Sequence, residues 1–385
     1  MPRIATGRAI IHPNTGEVLD NALTLWFPGP NSYTGEDLVE LHVHGGTSVI
    51  SGVLEALGSI ECFRHAEHGE FTPFGNEKLD LTEIEGLADL LNAETEAQRR
   101  QALRQAQGGL KNLYESWRKQ LIKNMALVEA IIDFGEDENI EDDVFDQVTN
   151  QIKQLIIEIS EHMNDNRKGE ILRDGIFVTV LGPPNAGKSS FLNYLAQRQA
   201  AIVSPIPGTT RDVIEVSLNI GGYPIVIGDT AGLRQTDDLI EIEGISRAKK
   251  CISENILILN KIDLINELDL IRLKEKINKN FSTKFIRCLS CETGEGFKEF
   301  LDEFVNLLKT KYDSSTSQVA LITQTRHREN LKDCLNFLKN SLDQCDIVLA
   351  AEELRYATNA LGKITGHVDI EEILDVIFKQ FCIGK

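Results

Sequence analysis

A chain of 385 residues exceeds what one ordinary hydrophobic core supports, so two or three domains are expected. Its composition, 42% hydrophobic and 26% charged, is that of a globular protein, and no apolar run is long enough to cross a bilayer. A net charge of −19 and a pI near 4.9 exclude broad non-specific binding to nucleic acid, which needs Lys and Arg to displace counterions. An RNA substrate would therefore require a local basic patch or a basic partner. The opening residues, Met1 to Arg8, carry no apolar signal-peptide stretch and are too short for a transit peptide. Seven scattered cysteines point to a reducing compartment, and Cys288-Leu-Ser-Cys291 has no second pair to complete a zinc site.

Residues 1–80 mix β-like runs, Ala22 to Phe27 and Leu38 to Val43, with turn signals such as Pro28-Gly-Pro-Asn31. One helix is expected near Val49 to Leu57, which makes this an α+β domain. His42 and His44 alternate with apolar residues beside Gly45-Gly46. They read as polar residues on a strand face rather than a metal pair, because no third ligand lies near. From Leu79 the pattern turns helical. Leu110, Leu113, Trp117, Leu121, Met125, Val128 and Ile132 form one stripe, and Val148, Ile152, Leu155, Ile156, Ile159 and Met163 a second. Gly108-Gly109 is expected to separate two helices, and the acidic run Gly135 to Asp143 to be a solvated loop. Residues from about 171 to 310 alternate strand and helix patterns, as a doubly wound α/β domain does. Beyond Gln318 helices return, with Leu331, Cys334, Leu335, Leu338 and Leu342 in one stripe and Ile370 to Phe381 in another.

The chemistry concentrates in the α/β segment. Gly182-Pro-Pro-Asn-Ala-Gly-Lys-Ser189 follows an apolar run and opens a helix, the context of a phosphate-binding P-loop. Gly182 and Gly187 let backbone N–H groups face phosphate, with Asn185, Ala186 and Ser190 in the same cradle. Lys188 adds charge, and the Ser189 hydroxyl can hold Mg²⁺. Downstream come Ser204, Pro205, Ile206, Pro207, Gly208, Thr209 and Thr210, of which Thr210 would complete Mg²⁺ coordination. Next stand Asp229, Thr230, Ala231 and Gly232, with Asp229 reaching Mg²⁺ through water and the Gly232 N–H meeting the γ-phosphate. Asn260, Lys261 and Asp263 follow another apolar run, and Asp263 can accept both donors on a guanine edge, which adenine does not offer. Ser290 opens a loop, Leu289 to Gly296, of the kind that backs the base. Four motifs in this order specify GTP. The residue after Gly232 is Leu233, which cannot orient an attacking water, so hydrolysis must recruit another polar group. Asp237, Asp238, Glu241 and Glu243 stand near.

Nearly the whole chain resembles the MnmE (TrmE) family of tRNA-modifying GTPases, especially the animal mitochondrial form. The most specific matches lie outside the GTP motifs: Trp26 to Asp37, His44-Gly-Gly46, Gly69-Glu-Phe71, Lys78 to Thr82, and the terminal Phe381-Cys-Ile-Gly-Lys385. The GTP motifs alone would also fit ribosome-assembly GTPases, and a non-hydrolysing guanine-nucleotide-binding factor is the alternative reading. The resemblance implies an α+β folate-binding and dimerising domain at 1–80 and an all-α helical domain at 81–170 plus 312–385. It also implies an inserted α/β P-loop G domain at 171–311. The implied reaction modifies C5 of the wobble uridine of certain tRNAs. It uses an FAD-dependent GidA (MnmG) partner and a one-carbon unit from 5-formyl- or methylene-tetrahydrofolate, in a complex driven or gated by GTP hydrolysis. The added group carries taurine in mitochondria and glycine or ammonium in bacteria. A homodimer and a mitochondrial location are implied as well.

Position by position, Asn185, Ser204, Ile206 and Thr209 resemble the family's K⁺ site, and Ser189 and Thr210 its Mg²⁺ ligands. Glu241 matches the glutamate that orients the attacking water through a bridging water. Glu40, Lys78 and Lys385 match folate contacts. Cys382 reads on composition as a buried or inert tail thiol, and the match of the terminal motif assigns it to the modification chemistry. Two departures stand out. The family's Arg-rich stretch after Phe71 is shortened to Thr72-Pro-Phe-Gly75, and its opening segment has no counterpart before Pro2. Gly244 and Asn260 are also only 16 positions apart, where a βαβ unit alone takes about 30 residues, so a central strand and a helix are expected to be missing.

Overall fold

The computed structural model describes residues 2–64, 72–76, 78–134, 142–180, 185–198, 201–202, 215–228, 256–266, 268–272, 285–312 and 320–367. They fall into two compact units. The first holds Met1–Leu91, Leu103–Glu161 and Arg326–Lys385, the second Asn92–Ala102 and His162–Thr325.

The first unit opens with an antiparallel sheet of β1 (Thr6–Ile11), β2 (Val18–Phe27) and β3 (Leu38–His42), in that order. Thr6 pairs with Thr24 and Phe27 with Leu38. Helix α1 (Thr47–Gly58) follows the two glycines after β3. The strands and helix expected from the sequence are present here. His44 is an anchor: its backbone N–H and ring Nδ1 both meet the Asp20 carboxylate at 2.8 Å, and the backbone bond is the main reason that carboxyl lies below its usual range. His42 pairs with Glu40, and among the described residues no group of three His, Cys, Asp or Glu side chains could hold a metal.

After the short turn α2 (Thr72–Gly75), α3 (Leu81–Leu91) starts at a capping box. Asp80 Oδ1 accepts the Glu83 N–H, and Glu83 Oε2 accepts the Asp80 N–H, each at 2.8 Å. Helix α4 (Glu96–Ala106) begins in the second unit and ends in the first, and Gly108 at φ +84° turns the chain into α5 (Gly109–Phe134). The first stripe buries Leu110, Trp117, Leu121 and Val128. Tyr114 and Asn124, which the stripe omits, are also buried, while Ile132 is 36% exposed. A straight helix drifts from a fixed repeat over seven turns, and the buried face shifts with it. Helix α6 (Asp142–Met163) buries Val148, Ile152, Leu155 and Ile159, and Trp117 donates its indole N–H to Glu158 at 3.1 Å. Asp142 and Asp143 belong to this helix, and 135–141 lie outside the described residues. Helices α10 (Thr325–Asp343) and α11 (Ile347–Thr365) complete the bundle. Small residues on α11, Ala350, Ala357 and Ala360 among them, are buried where it packs on α5. The stripe Ile370 to Phe381 lies outside the described residues.

In the second unit, α7 (Lys168–Asp174) ends at Gly175 and enters β4 (Ile176–Thr179). One sheet runs β4, β7 (Tyr223–Gly228), β6 (Glu215–Ile220), β5 (Ala201–Ile202), with β4 parallel to β7 and the other pairs antiparallel. Gly221 and Gly222, at φ +60° and +89°, make the two-residue turn of the β6–β7 hairpin, a conformation that side chains with a Cβ rarely adopt. A second, parallel pair joins β8 (Ile256–Leu259) to β9 (Phe285–Cys288). Among the described residues, β4 and β8 are both sheet edges, and no strand joins the two sheets. Residues 229–255, where the short Gly244–Asn260 interval predicts a missing strand, lie outside the described residues.

Candidate functional site

Helix α8 (Lys188–Arg198) carries the end of the glycine loop, and α9 (Phe297–Tyr312) follows the loop that leaves β9. Aromatic packing fixes the two helices against each other. The Tyr194 and Phe297 rings lie 3.9 Å apart, Phe191 and Phe297 5.6 Å, and Phe191 and Phe300 5.7 Å. These rings join a core with Leu195, Leu218, Ile225, Ile227 and Leu289. Such pairs stabilise the packing of α8 on α9 beyond the area they bury.

In the glycine loop Asn185 and Gly187 take left-handed conformations, φ +65° and +91°. A Cβ on Gly187 would stand 2.3 Å from Asn260 Nδ2. That close approach has a purpose. Asn260 Nδ2 donates to the Ala186 carbonyl at 3.1 Å, and its Oδ1 accepts the backbone N–H of Lys261 at 2.8 Å and of Cys291 at 3.2 Å. One side chain thus ties the glycine loop, the end of β8 and the β9 loop together.

The β9 loop is equally determined. The Leu289 N–H extends the ladder to Leu259 O at 2.9 Å, and Ser290, fully buried, accepts the N–H groups of Glu292 and Thr293 on its hydroxyl. The Ser290 hydroxyl therefore shapes the loop. Gly294 at φ +79° lies under the Tyr194 hydroxyl, where a Cβ would come within 2.4 Å. Asp263 sits exposed on a single 3-10 turn, Ile262–Leu264, that Lys261 enters at φ +67°. Burial pushes the Cys291 thiol up, with a smaller contribution from the Asp263 carboxylate, while a hydrogen bond with the Asn260 side chain works the other way. The C-x-x-C spacing points only to a metal or redox role for Cys291 and gives no sign of its place in this loop, where its backbone N–H bonds Asn260.

Asn185 to Ser190, Asn260, Lys261, Asp263 and Ser290 are therefore assembled at one end of the second unit. Ser204 to Thr210, Asp229 to Gly232, Glu241, Cys382 and Lys385 lie outside the described residues. In the first unit, Glu40 on β3 lies opposite Leu25, and its Oε2 is 3.0 Å from His42 Nε2. Lys78 Nζ donates to the Pro30 carbonyl at 3.1 Å, its stem crossing Gly35, and Asn76 Nδ2 donates to Thr34 O at 2.7 Å. Of the two candidates described, Lys78 thus contacts the loop between β2 and β3, and Glu40 lies on the strand that follows it.

Two family profiles match. "GTP-binding protein TrmE N-terminus" covers residues 1–78, and "MnmE helical domain" covers residues 81–382. They define a chain built from a TrmE-type N-terminal domain followed by an MnmE-type helical domain. The "5-taurinomethyluridine-[tRNA] synthase subunit GTPB3, mitochondrial" of Danio rerio is 47% identical over all of this chain and 86% of its own length. The "tRNA modification GTPase gtpbp3, mitochondrial" of Dictyostelium discoideum is 42% identical over 100% and 86%, and the "tRNA modification GTPase MnmE" of Paramagnetospirillum magneticum 44% over 98% and 90%. The chain belongs to the MnmE/TrmE family. The Danio rerio alignment spans 428 positions against 385 residues here, so that relative carries interior residues without counterparts in this chain.

Proposed function

We propose that this chain is the GTP-hydrolysing subunit of a mitochondrial complex that modifies C5 of the wobble uridine of tRNA, with the family's taurinomethyl group as product. The observation that carries the nucleotide half is the Asn260 junction, which joins the loop meant for phosphate to the turn and loop meant for a base. The residues fit guanine nucleotide. Asn185 and Gly187 take positive φ just before α8, Lys188 heads that helix, and the Asp263 side chain is exposed.

Within an inserted G domain at 171–311, Ser189 and Thr210 would hold Mg²⁺, and Asn185, Ser204, Ile206 and Thr209 a K⁺ ion beside the β- and γ-phosphates. Such a cation supplies the charge stabilisation that an arginine finger gives elsewhere. Glu241 orients the attacking water, a role that Leu233 cannot fill. In the N-terminal domain, Glu40 offers a carboxylate to a pterin edge, and Lys78 and Lys385 offer amines to anionic groups of a tetrahydrofolate derivative. Cys382 belongs to the modification chemistry. An FAD-dependent GidA/MnmG-type partner completes the complex, and tRNA binds to it, the partner offsetting the −19 charge of this chain. For a homodimer the support is the N-terminal sheet: Trp26 and Val39 face each other on β2 and β3 and remain 42% and 59% exposed.

GTP turnover in KCl against NaCl tests this reading, with faster hydrolysis in KCl expected; equal rates would sink the K⁺ site. A second reading is a chain that binds guanine nucleotide without turnover, which the short Gly244–Asn260 interval would favour. Tight GDP binding with no phosphate release in either salt would select it. Deleting Lys385 is expected to weaken binding of 5-formyltetrahydrofolate by calorimetry, and an unchanged affinity would refute the folate assignment.

A further inference from the structure

The loop between β2 and β3 is held from outside itself. Its own bonds are short in range: the Gly29 N–H reaches Asp37 Oδ1 at 2.9 Å, and the Ser32 hydroxyl reaches the Glu36 carbonyl at 2.5 Å. Three of its backbone carbonyls accept instead from side chains far along the chain. Arg3 Nη2 donates to Asn31 O at 2.5 Å across 28 positions, Asn76 Nδ2 to Thr34 O at 2.7 Å across 42, and Lys78 Nζ to Pro30 O at 3.1 Å across 48. The donors are themselves anchored. The Arg3 N–H bonds the Trp26 carbonyl at 2.8 Å, near the end of β2, and the N–H groups of Lys78 and Leu79 both bond the Pro73 carbonyl, at 2.8 and 3.0 Å.

An ordinary surface loop needs none of this, because its Ser, Thr, Asn and Asp side chains satisfy it through near neighbours. One exposed hydrogen bond also contributes little by itself. Here the three donors come from two segments that flank the loop, and one of them, Lys78, is a folate candidate. Gly35, at φ +83°, receives the Lys78 stem so closely that a Cβ there would stand 2.9 Å from Lys78 Cε. An ammonium carries three donors, and Lys78 uses one on Pro30 O, which leaves two for an anionic group. The loop carbonyl thus fixes where the charge stands without consuming it.

We propose that Arg3 and Asn76 are positioning residues of the folate site: they hold the Pro30–Gly35 backbone, and that backbone holds the Lys78 ammonium in place for an anionic group of the folate. The proposal rests on the folate reading for its ligand and not for its loop. Full-length R3M, N76A, G35A and K78M are compared with the unmodified chain in two measurements, calorimetric affinity for 5-formyltetrahydrofolate and amide exchange of the 28–37 loop by mass spectrometry, with thermal melting as control. Affinity is expected to be about fivefold weaker and loop exchange about fivefold faster in R3M and in N76A, at an unchanged melting temperature. In the K78M background N76A should add less than about twofold, since its effect runs through Lys78. Full additivity there overturns the proposal, as does unchanged affinity in both R3M and N76A, or loop exchange that neither accelerates. If R3M does not fold, N76A and G35A decide by the same two readouts, because G35A displaces Lys78 without removing its charge. An unmodified chain that binds no 5-formyltetrahydrofolate sinks the folate reading, whereas faster loop exchange in R3M and N76A still upholds the dependence of the loop on these side chains.

Discussion

Replacing Asn260 by Ala tests whether one side chain couples the glycine loop to the base loop. The substitution removes three hydrogen bonds, to Ala186 O, from the Lys261 N–H and from the Cys291 N–H. The Lys261 bond is local, so two of the three hold separate segments in register. At about 1 kcal/mol net for each, the loss is about 2 kcal/mol, or about thirtyfold in nucleotide affinity. Asn260→Asp keeps both acceptor bonds but sets a carboxylate oxygen against the Ala186 carbonyl, so it should be at least as damaging. Titration with a fluorescent GDP analogue measures both, with thermal melting of the free protein as control. If Asn260→Ala binds within twofold of the unmodified chain, the loops are held by something else and the reasoning fails.

Gly187→Ala should weaken GDP binding at least tenfold in the same titration, because a φ of +91° strains any residue with a Cβ and that Cβ, 2.3 Å from Asn260 Nδ2, would push the Asn260 side chain off its bonds. Gly86→Ala should cost about 1–3 kcal/mol and lower the melting temperature, since its Cβ would lie 2.5 Å from the Ala106 backbone nitrogen, which cannot move aside as a side chain would. Burial is the main reason the Asp80 carboxyl rises to about 6, from 3.8, and its Oδ2 is buried with no hydrogen-bond partner among the described residues. A folded pKa above the unfolded one means that stability falls as pH rises from about 4 to about 6. Asp80→Asn keeps a capping oxygen and removes that cost. It should match the unmodified chain at pH 4 and exceed it at pH 7.5 by up to about 3 kcal/mol, and a pH-independent difference in denaturant midpoints would contradict this. Glu85 behaves in the opposite sense: it is held at about 2, from 4.5, as the His327 and Arg326 attractions outweigh its burial. Its stabilisation is complete above about pH 4.5 and fades below, so acid unfolding of Glu85→Gln, followed by circular dichroism, should be shallower across that window.

Much of this protein is legible in its order of residues. The glycine loop, the Asn260–Asp263 turn and the Ser290 loop are recognisable because phosphate and guanine demand particular groups at particular spacings, and local backbone conformation delivers them. The capping box at Asp80 and Glu83 and the helix break at Gly108 are local in the same sense. Helical stripes mark their buried faces well in the middle and poorly at the ends, as Ile132 shows, because neighbouring helices decide which turns are covered.

Contacts between distant residues are another matter. Asn260 meets Ala186 across 74 positions, and Glu85 meets His327 across 242. No periodicity or spacing singles out these pairs, since a buried glutamate reads like any solvated helical carboxylate until its partners close on it. The elements, the family and the nucleotide chemistry can be read from residue order alone, because all are encoded in residues near one another. That one asparagine joins the loops, and that an ion cluster of Glu85, Arg326 and His327 holds the end of α11, emerges in the folded chain alone, because both depend on which surfaces the core brings together.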